Sequence, residues 1–132
     1  MVEQEVNSHK LACVIAMLLD DKLAKDITIL NISNVSSLAD YFVIASGDST
    51  PQVKALMEAV KEKIKHHFSR LPVRSENDQK NRWNLLDYGD VVVHILHKDE
   101  RQTYALEKFW SHAFSVSENE WRSTAADFSS YK

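Results

Sequence analysis

Apolar residues fall at Leu11, Val14, Ile15, Leu18 and Leu19, close to the repeat of a helix with one buried side. Ser8 stands where such a helix needs an N-cap, and Asp20-Asp21-Lys22 end the stripe. The pattern then changes to Ile27-Thr28-Ile29-Leu30-Asn31-Ile32, a β-branched run that predicts a strand. Ser36-Ser37-Leu38-Ala39-Asp40 fits a single helical turn. Tyr41-Phe42-Val43-Ile44-Ala45 is apolar on both sides of a two-residue repeat, which predicts a central strand covered from both faces. At Ser46-Gly47-Asp48-Ser49-Thr50-Pro51 a turn passes into a helix, with Ser49 or Thr50 as cap and Pro51 in the first turn.

Val53, Leu56, Val60, Ile64 and Phe68 mark the buried side of that helix, and Pro72-Val73-Arg74 starts an extended piece. Glu76 to Asn81 is polar and predicts a loop. Trp83 to Leu86 and Val91 to Leu96 predict two strands joined at Asp87-Tyr88-Gly89-Asp90. A last helix from Glu100 to Ala113 would bury Leu106, Phe109, Trp110 and Ala113. Strands that alternate with helices and close on a hairpin predict an α/β fold: a single-domain sandwich around a mixed β-sheet, with helices on both faces. The domain is expected over residues 1–114, with a polar, loosely packed tail over 115–132, Trp121 and Phe128 being the residues that could dock it.

Composition narrows the function classes. The length of 132 residues suits one domain. A formal charge of −3 and a pI near 6.0 argue against a protein that grips free nucleic acid, which needs clustered Lys and Arg. Cys13 is the only cysteine, so no intrachain disulfide forms and a reducing, cytoplasmic setting fits, or an organellar matrix for a processed form. The apolar run from Leu11 to Leu19 is far shorter than the roughly 20 residues that cross a bilayer, so no membrane partner is expected. Two glycines and two prolines leave few places for a glycine-lined ligand loop.

Trp83-Asn84-Leu85-Leu86-Asp87-Tyr88-Gly89-Asp90-Val91-Val92-Val93-His94-Ile95-Leu96 resembles the signature of the Iojap family, the ribosome-silencing factors. Ala39 to Gly47 resembles the central strand of that family, Ser49 and Gln52 match the start of its next helix, and Arg101 to Trp110 resembles its closing helix. The resemblance covers roughly residues 8 to 114. The loop before Trp83 usually carries glycine in the family, whereas here it reads Asn77-Asp78-Gln79-Lys80-Asn81-Arg82. The resemblance implies a fold similar to that of nucleotidyltransferases, without a known reaction. It implies a large-ribosomal-subunit partner, universal large-subunit ribosomal protein fourteen, whose occupation blocks subunit joining and damps translation. Some members are similar in forming homodimers when free. An acidic chain suits such a basic ribosomal protein better than RNA. Assembly of the large subunit through the same surface is the alternative role.

The fold similarity calls for a test of catalysis. A nucleotidyltransferase needs a Gly-Ser turn for phosphate and spaced carboxylates for two metals. Here Ser46-Gly47 runs in reversed order, and no Asp-x-Asp or Asp-x-Glu follows on the next strand. There is no phosphate loop or dinucleotide fingerprint. The reading is therefore a non-enzymatic binding protein with no cofactor, a divergent nucleotidyltransferase being the contrary case. Metal ligation is not expected either. His94 and His97 lie three apart on a strand and point to opposite faces. His66 and His67 diverge by about 100° around a helix. His94, alternating with Val92 and Leu96, reads as a hydrogen-bonded core histidine.

Candidate partner-binding residues are Trp83, Leu85, Asp87, Tyr88, Asp90, Tyr104 and Glu107. Trp83, Leu85 and Asp87 share one strand face, and a face that mixes a large aromatic with a carboxylate resists full burial. Trp83 is then either hairpin packing or an exposed interface anchor. Asp87, Tyr88, Gly89 and Asp90 suit a tight turn for backbone reasons alone, while outward carboxylates there would meet basic groups of a ribosomal protein. Tyr104 sits about 180° from the centre of the Leu106, Phe109, Trp110 and Ala113 stripe, with Glu107 beside it.

Overall fold

The computed structural model describes residues 6–104 and 112–126. Helix α1 spans Ser8–Asp21, strand β1 Lys25–Asn31, β2 Tyr41–Gly47, α2 Thr50–Phe68 and β3 Arg74–Asn77. Then follow β4 Trp83–Asp87, β5 Val91–His97, α3 Lys98–Tyr104, β6 Phe114–Val116 and α4 Glu118–Ala126. The six strands form one sheet in the order β3-β4-β5-β2-β1-β6. Only the β2–β5 pair is parallel among the described residues, so the sheet is mixed as expected.

The centre of the sheet follows from β2. Val43 and Ala45 face one core, Phe42 and Ile44 the other, and all four are buried. Helices α1, α2 and α4 cover the first face. The second carries a smaller apolar cluster of Leu30, Ile32, Ala39, Phe42, Ile44, Val92 and Leu96. Helix α3 reaches that side by donating from Arg101 Nη2 to Thr28 Oγ1 at 3.2 Å. Arg82 Nε ties the start of β4 to α3 through Glu100 Oε1 at 2.7 Å.

Local chemistry fixes the helix starts. Asn7, not Ser8, caps α1, its side chain accepting from Lys10 N at 2.8 Å. Ser49 caps α2 and accepts from Gln52 N, while Gln52 Oε1 accepts from Asp48 N at 2.7 Å. The two bonds satisfy the Gln52 N–H of the first turn and the Asp48 N–H just before the cap. Gly47 lies just before it, where a Cβ would stand 3.1 Å from Val53 Cγ2 and would require that side chain to give way.

Four expectations are corrected. Ser36 to Asp40 forms no helical turn; the chain turns earlier, over Ser33 to Val35, where Asn31 Oδ1 accepts from Ser33 N and Ser33 Oγ. Strand β3 takes in Glu76 and Asn77, which were expected in the loop, because they pair with Leu85 and Asn84 on β4. Residues 115–126, expected as part of a loosely packed tail, instead pack on the domain. Phe114 to Val116 pair antiparallel with β1, and α4 packs on α1 with Trp121 only 3% exposed. The last helix also stops short of Ala113, which lies at a bend before β6. Residues 105–111, with Leu106, Phe109 and Trp110, fall outside the described residues, as does Phe128.

Candidate functional site

Strand β4 lies between the short edge strand β3 and the central β5, and its burial alternates along the chain. Asn84 and Leu86 are buried toward α2, whereas Trp83, Leu85 and Asp87 are half-buried on the opposite face. The shared face expected for these three residues is thus present. Opposite them on β5 stand Leu96, His94 and Val92 in register. Trp83 and Leu85 also form the floor of an open groove of about 320 Å³, whose other walls are Glu76, Asn77 and Asp78. All three wall residues are exposed. Glu76 Oε2 pairs with Arg74 Nε at 3.1 Å, and Asp78 Oδ1 accepts from Lys80 N and Arg82 N, which holds the loop rim in place.

Trp83 is held from below. Its indole Nε1 donates to His94 Nδ1 at 3.2 Å, and the two rings lie 6.0 Å apart. His94 is 7% exposed and meets Phe42 edge-on at 4.8 Å. Burial lowers its pKa to about 4, a shift that the carboxylate of Asp87 opposes. Its Nε2 makes no hydrogen bond. His94 is therefore a core histidine with one partner, as the sequence suggested. His97 turns away, and its Nδ1 accepts from Asp99 N at 3.1 Å. The His66 and His67 rings, expected to diverge, meet edge-on at 4.6 Å. Among the described residues no group of three or more His, Cys, Asp and Glu side chains could hold a metal.

The hairpin turn differs from expectation. Tyr88 is 2% exposed and packs in the main core, so its side chain is not presented to a partner. Burial raises its phenol pKa to about 12, with Arg70 acting the other way. Asp87 and Asp90 are also engaged within the chain rather than projecting together. Asp87 Oδ1 accepts from Gly89 N at 2.8 Å, closing the turn in which Gly89 takes φ +93°. Asp90 receives two bonds from Arg70, Nη2 to Oδ1 at 2.9 Å and Nη1 to Oδ2 at 3.3 Å, and Arg70 Nη2 also donates to Tyr88 O. Arg70 went unremarked in the sequence because it lies 20 positions from Asp90. Glu76 and Asp78 were read only as loop, because their place beside Trp83 follows from a β3–β4 pairing that no local spacing encodes. Tyr104 ends α3, but its side chain and the whole of Glu107 lie outside the described residues.

The chain from residue 5 to 131 matches the family described as Ribosomal silencing factor during starvation. The protein named Ribosomal silencing factor RsfS from Bacillus subtilis (strain 168) is 40% identical over 108 residues, 82% of this chain and 91% of that protein. A Mus musculus protein named Mitochondrial assembly of ribosomal large subunit protein 1 is 32% identical over 100 residues, 74% of this chain and 44% of its own length. A crystal structure of a Chromobacterium violaceum protein superposes with a TM-score of 0.76 at 35% identity, covering 80% of this chain and 88% of that one. Another, from Bacillus halodurans, gives 0.71 at 37% identity over 83% and 98%.

Proposed function

Because the chain belongs to the family of ribosomal silencing factors, we propose that it binds the large ribosomal subunit and excludes the small one. It does so by occupancy alone, without turnover and without a cofactor. The contact is a basic ribosomal protein, universal large-subunit protein fourteen, as the resemblance of the β4–β5 segment implies. The observation that carries this reading is the outer face of β4. A large aromatic and an aliphatic side chain, Trp83 and Leu85, stay half-buried in a folded monomer and floor a groove walled by exposed Glu76 and Asp78. An apolar floor with acidic walls suits a basic protein surface, and Trp is the residue type that most often dominates such interfaces. Asp87 lies on the same strand face, where its carboxylate accepts from Gly89 N and stands 3.9 Å from Arg74 Nη2.

Sedimentation of purified subunits in the presence of the protein tests this function. The silencing role requires that mature subunits fail to join in proportion to the protein added, and normal joining at saturating protein refutes it. Trp83→Ala should weaken binding to large subunits by about 2 kcal/mol or more, while lowering stability by only about 1 to 3 kcal/mol through the acceptor it orphans at His94 Nδ1. A collapse of the melting temperature together with binding would make Trp83 a core residue instead. The name of the mouse relative favours a second reading, assembly of the large subunit through the same face. A pure assembly factor would leave the joining of mature subunits untouched.

A further inference from the structure

Three arginines surround the β4 hairpin, and they are held differently. Arg70 donates two bonds to the Asp90 carboxylate and another to Tyr88 O. Arg82 Nε donates to Glu100 Oε1 at 2.7 Å. Those two side chains are 29% and 33% exposed, against 59% for Arg74. Arg74 leans between two carboxylates, its Nε 3.1 Å from Glu76 Oε2 and its Nη2 3.9 Å from Asp87 Oδ2, with neither contact aligned as a hydrogen bond. Asp87 Oδ1 is taken by Gly89 N, so Oδ2 is the oxygen left to a cation. Across β3–β4, Arg74 pairs with Asp87 and Glu76 with Leu85, and residues two apart on a strand share a face. Arg74 thus stands on the side of Glu76, Trp83, Leu85 and Asp87, the one cation among these five residues.

We propose that Arg74 is an exchangeable counter-ion of the docking face: it screens Glu76 and Asp87 in the free protein and yields them to a basic side chain of the ribosomal partner. This rests on the reading of that face as the docking surface. An exposed ion pair contributes little to folding and is given up easily. Carboxylates shielded from water by a docked surface hold a guanidinium or ammonium more strongly. Arg70 and Arg82 do not exchange in this way, because their hydrogen bonds hold the hairpin turn and the start of β4. The exchange keeps the affinity below what unscreened carboxylates would give. It also makes docking less sensitive to salt, since an intramolecular pair is broken as an intermolecular one forms.

The test is the affinity of the full chain for purified large ribosomal subunits, measured at low and at high salt. Arg74→Gln is compared with Lys54→Gln, which removes the same charge from the exposed side of α2, across the sheet from the groove. Arg74→Gln should bind roughly two- to fivefold more tightly than Lys54→Gln at low salt, and the gain should shrink at high salt. Both variants should melt near the temperature of the wild type. Arg74→Lys keeps the charge and should bind as the wild type does. Glu76→Gln should weaken binding more in the Arg74→Gln background than in the wild type, because the carboxylate it removes is no longer screened. An Arg74→Gln variant that binds no more tightly than Lys54→Gln, while Trp83→Ala binds weakly, overturns the inference and leaves the docking face standing. An Arg74→Lys variant that binds as tightly as Arg74→Gln overturns it as well, since charge would then not be the cause. A Trp83→Ala variant with unchanged affinity removes the docking face itself.

Discussion

Acid should destabilise this fold in part through His94, and the size of that contribution can be worked out. His94 is buried and neutral, with its pKa lowered from 6.5 to about 4 by loss of solvent. In the unfolded chain the imidazole is free to protonate near its ordinary value. Between those two pH values the unfolded chain binds a proton that the folded one does not, so stability falls as the pH falls. The contribution is fully present above the unfolded value and is lost progressively down to the folded one. A gap of that width corresponds to about 3 kcal/mol in total, of which about 2.5 kcal/mol is lost by about pH 4.5. Other groups also titrate in acid, so the variant His94→Leu serves as the reference. Urea unfolding followed by circular dichroism at about pH 7 and about pH 4.5 gives four free energies. The difference between wild type and variant should shift against the wild type by about 2.5 kcal/mol on acidification. A difference that stays constant with pH would show that His94 is not buried and neutral as described, whatever its stability at neutrality.

Two further outcomes follow from contacts outside that face. Trp121→Ala should cost about 3 to 5 kcal/mol in urea unfolding, the range for deleting a buried aromatic. It should also speed alkylation of Cys13, a fully buried thiol whose pKa is raised to about 11 by burial, because α4 is what covers α1 there; a native-like alkylation rate would mean that α4 does not guard the thiol. Arg70→Ala leaves the Asp90 carboxylate and the Tyr88 carbonyl without their donor, and should lower stability by about 1 kcal/mol for these partly exposed bonds. The loss should largely vanish when Asp90→Asn is added, and a fully additive double variant would deny the pair any coupling.

The two central elements were legible because their patterns are strong and mutually exclusive. Tyr41 to Ala45 is apolar at every position, and Val53, Leu56, Val60, Ile64 and Phe68 keep a helical repeat over the full length of α2. The C-terminal helix was not, because only Trp121 and Ala125 of α4 are buried. Two positions make no stripe, yet they cover the far side of α1. That cover explains why Ala12, Cys13, Ala16 and Met17 are buried beyond the stripe that the sequence suggested. The site shows the same division. Alternation along β4 depends on neighbours in the chain and was readable. The engagement of Asp90 by Arg70, the burial of Tyr88 and the groove walls from β3 depend on pairings that no local spacing encodes.

The parity of β4 offers a way to separate folding from docking within five residues. Asn84 and Leu86 point into the core, and Trp83, Leu85 and Asp87 point to the groove side. A strand with one face sealed tolerates no slip of register, since a shift by one residue would exchange the two sets. The hairpin turn enforces that register: Tyr88 N donates to Val91 O, Gly89 takes the positive φ, and Tyr88 anchors the turn in the core. Tyr88 therefore serves docking only indirectly, by fixing which residues of β4 face outward. Substitutions at the two even positions should lower stability and leave binding per folded molecule unchanged. Substitutions at Trp83 and Leu85, which pack only partly against the second cluster, should lower affinity more than stability. Paired unfolding and subunit-binding measurements on Leu85→Ala and Leu86→Ala check this. Leu86→Ala should cost about 2 to 5 kcal/mol of stability, whereas Leu85→Ala should lose affinity first. If both variants lose stability alike and neither loses affinity, the outer face of β4 is core, and the docking surface must be sought elsewhere on the chain.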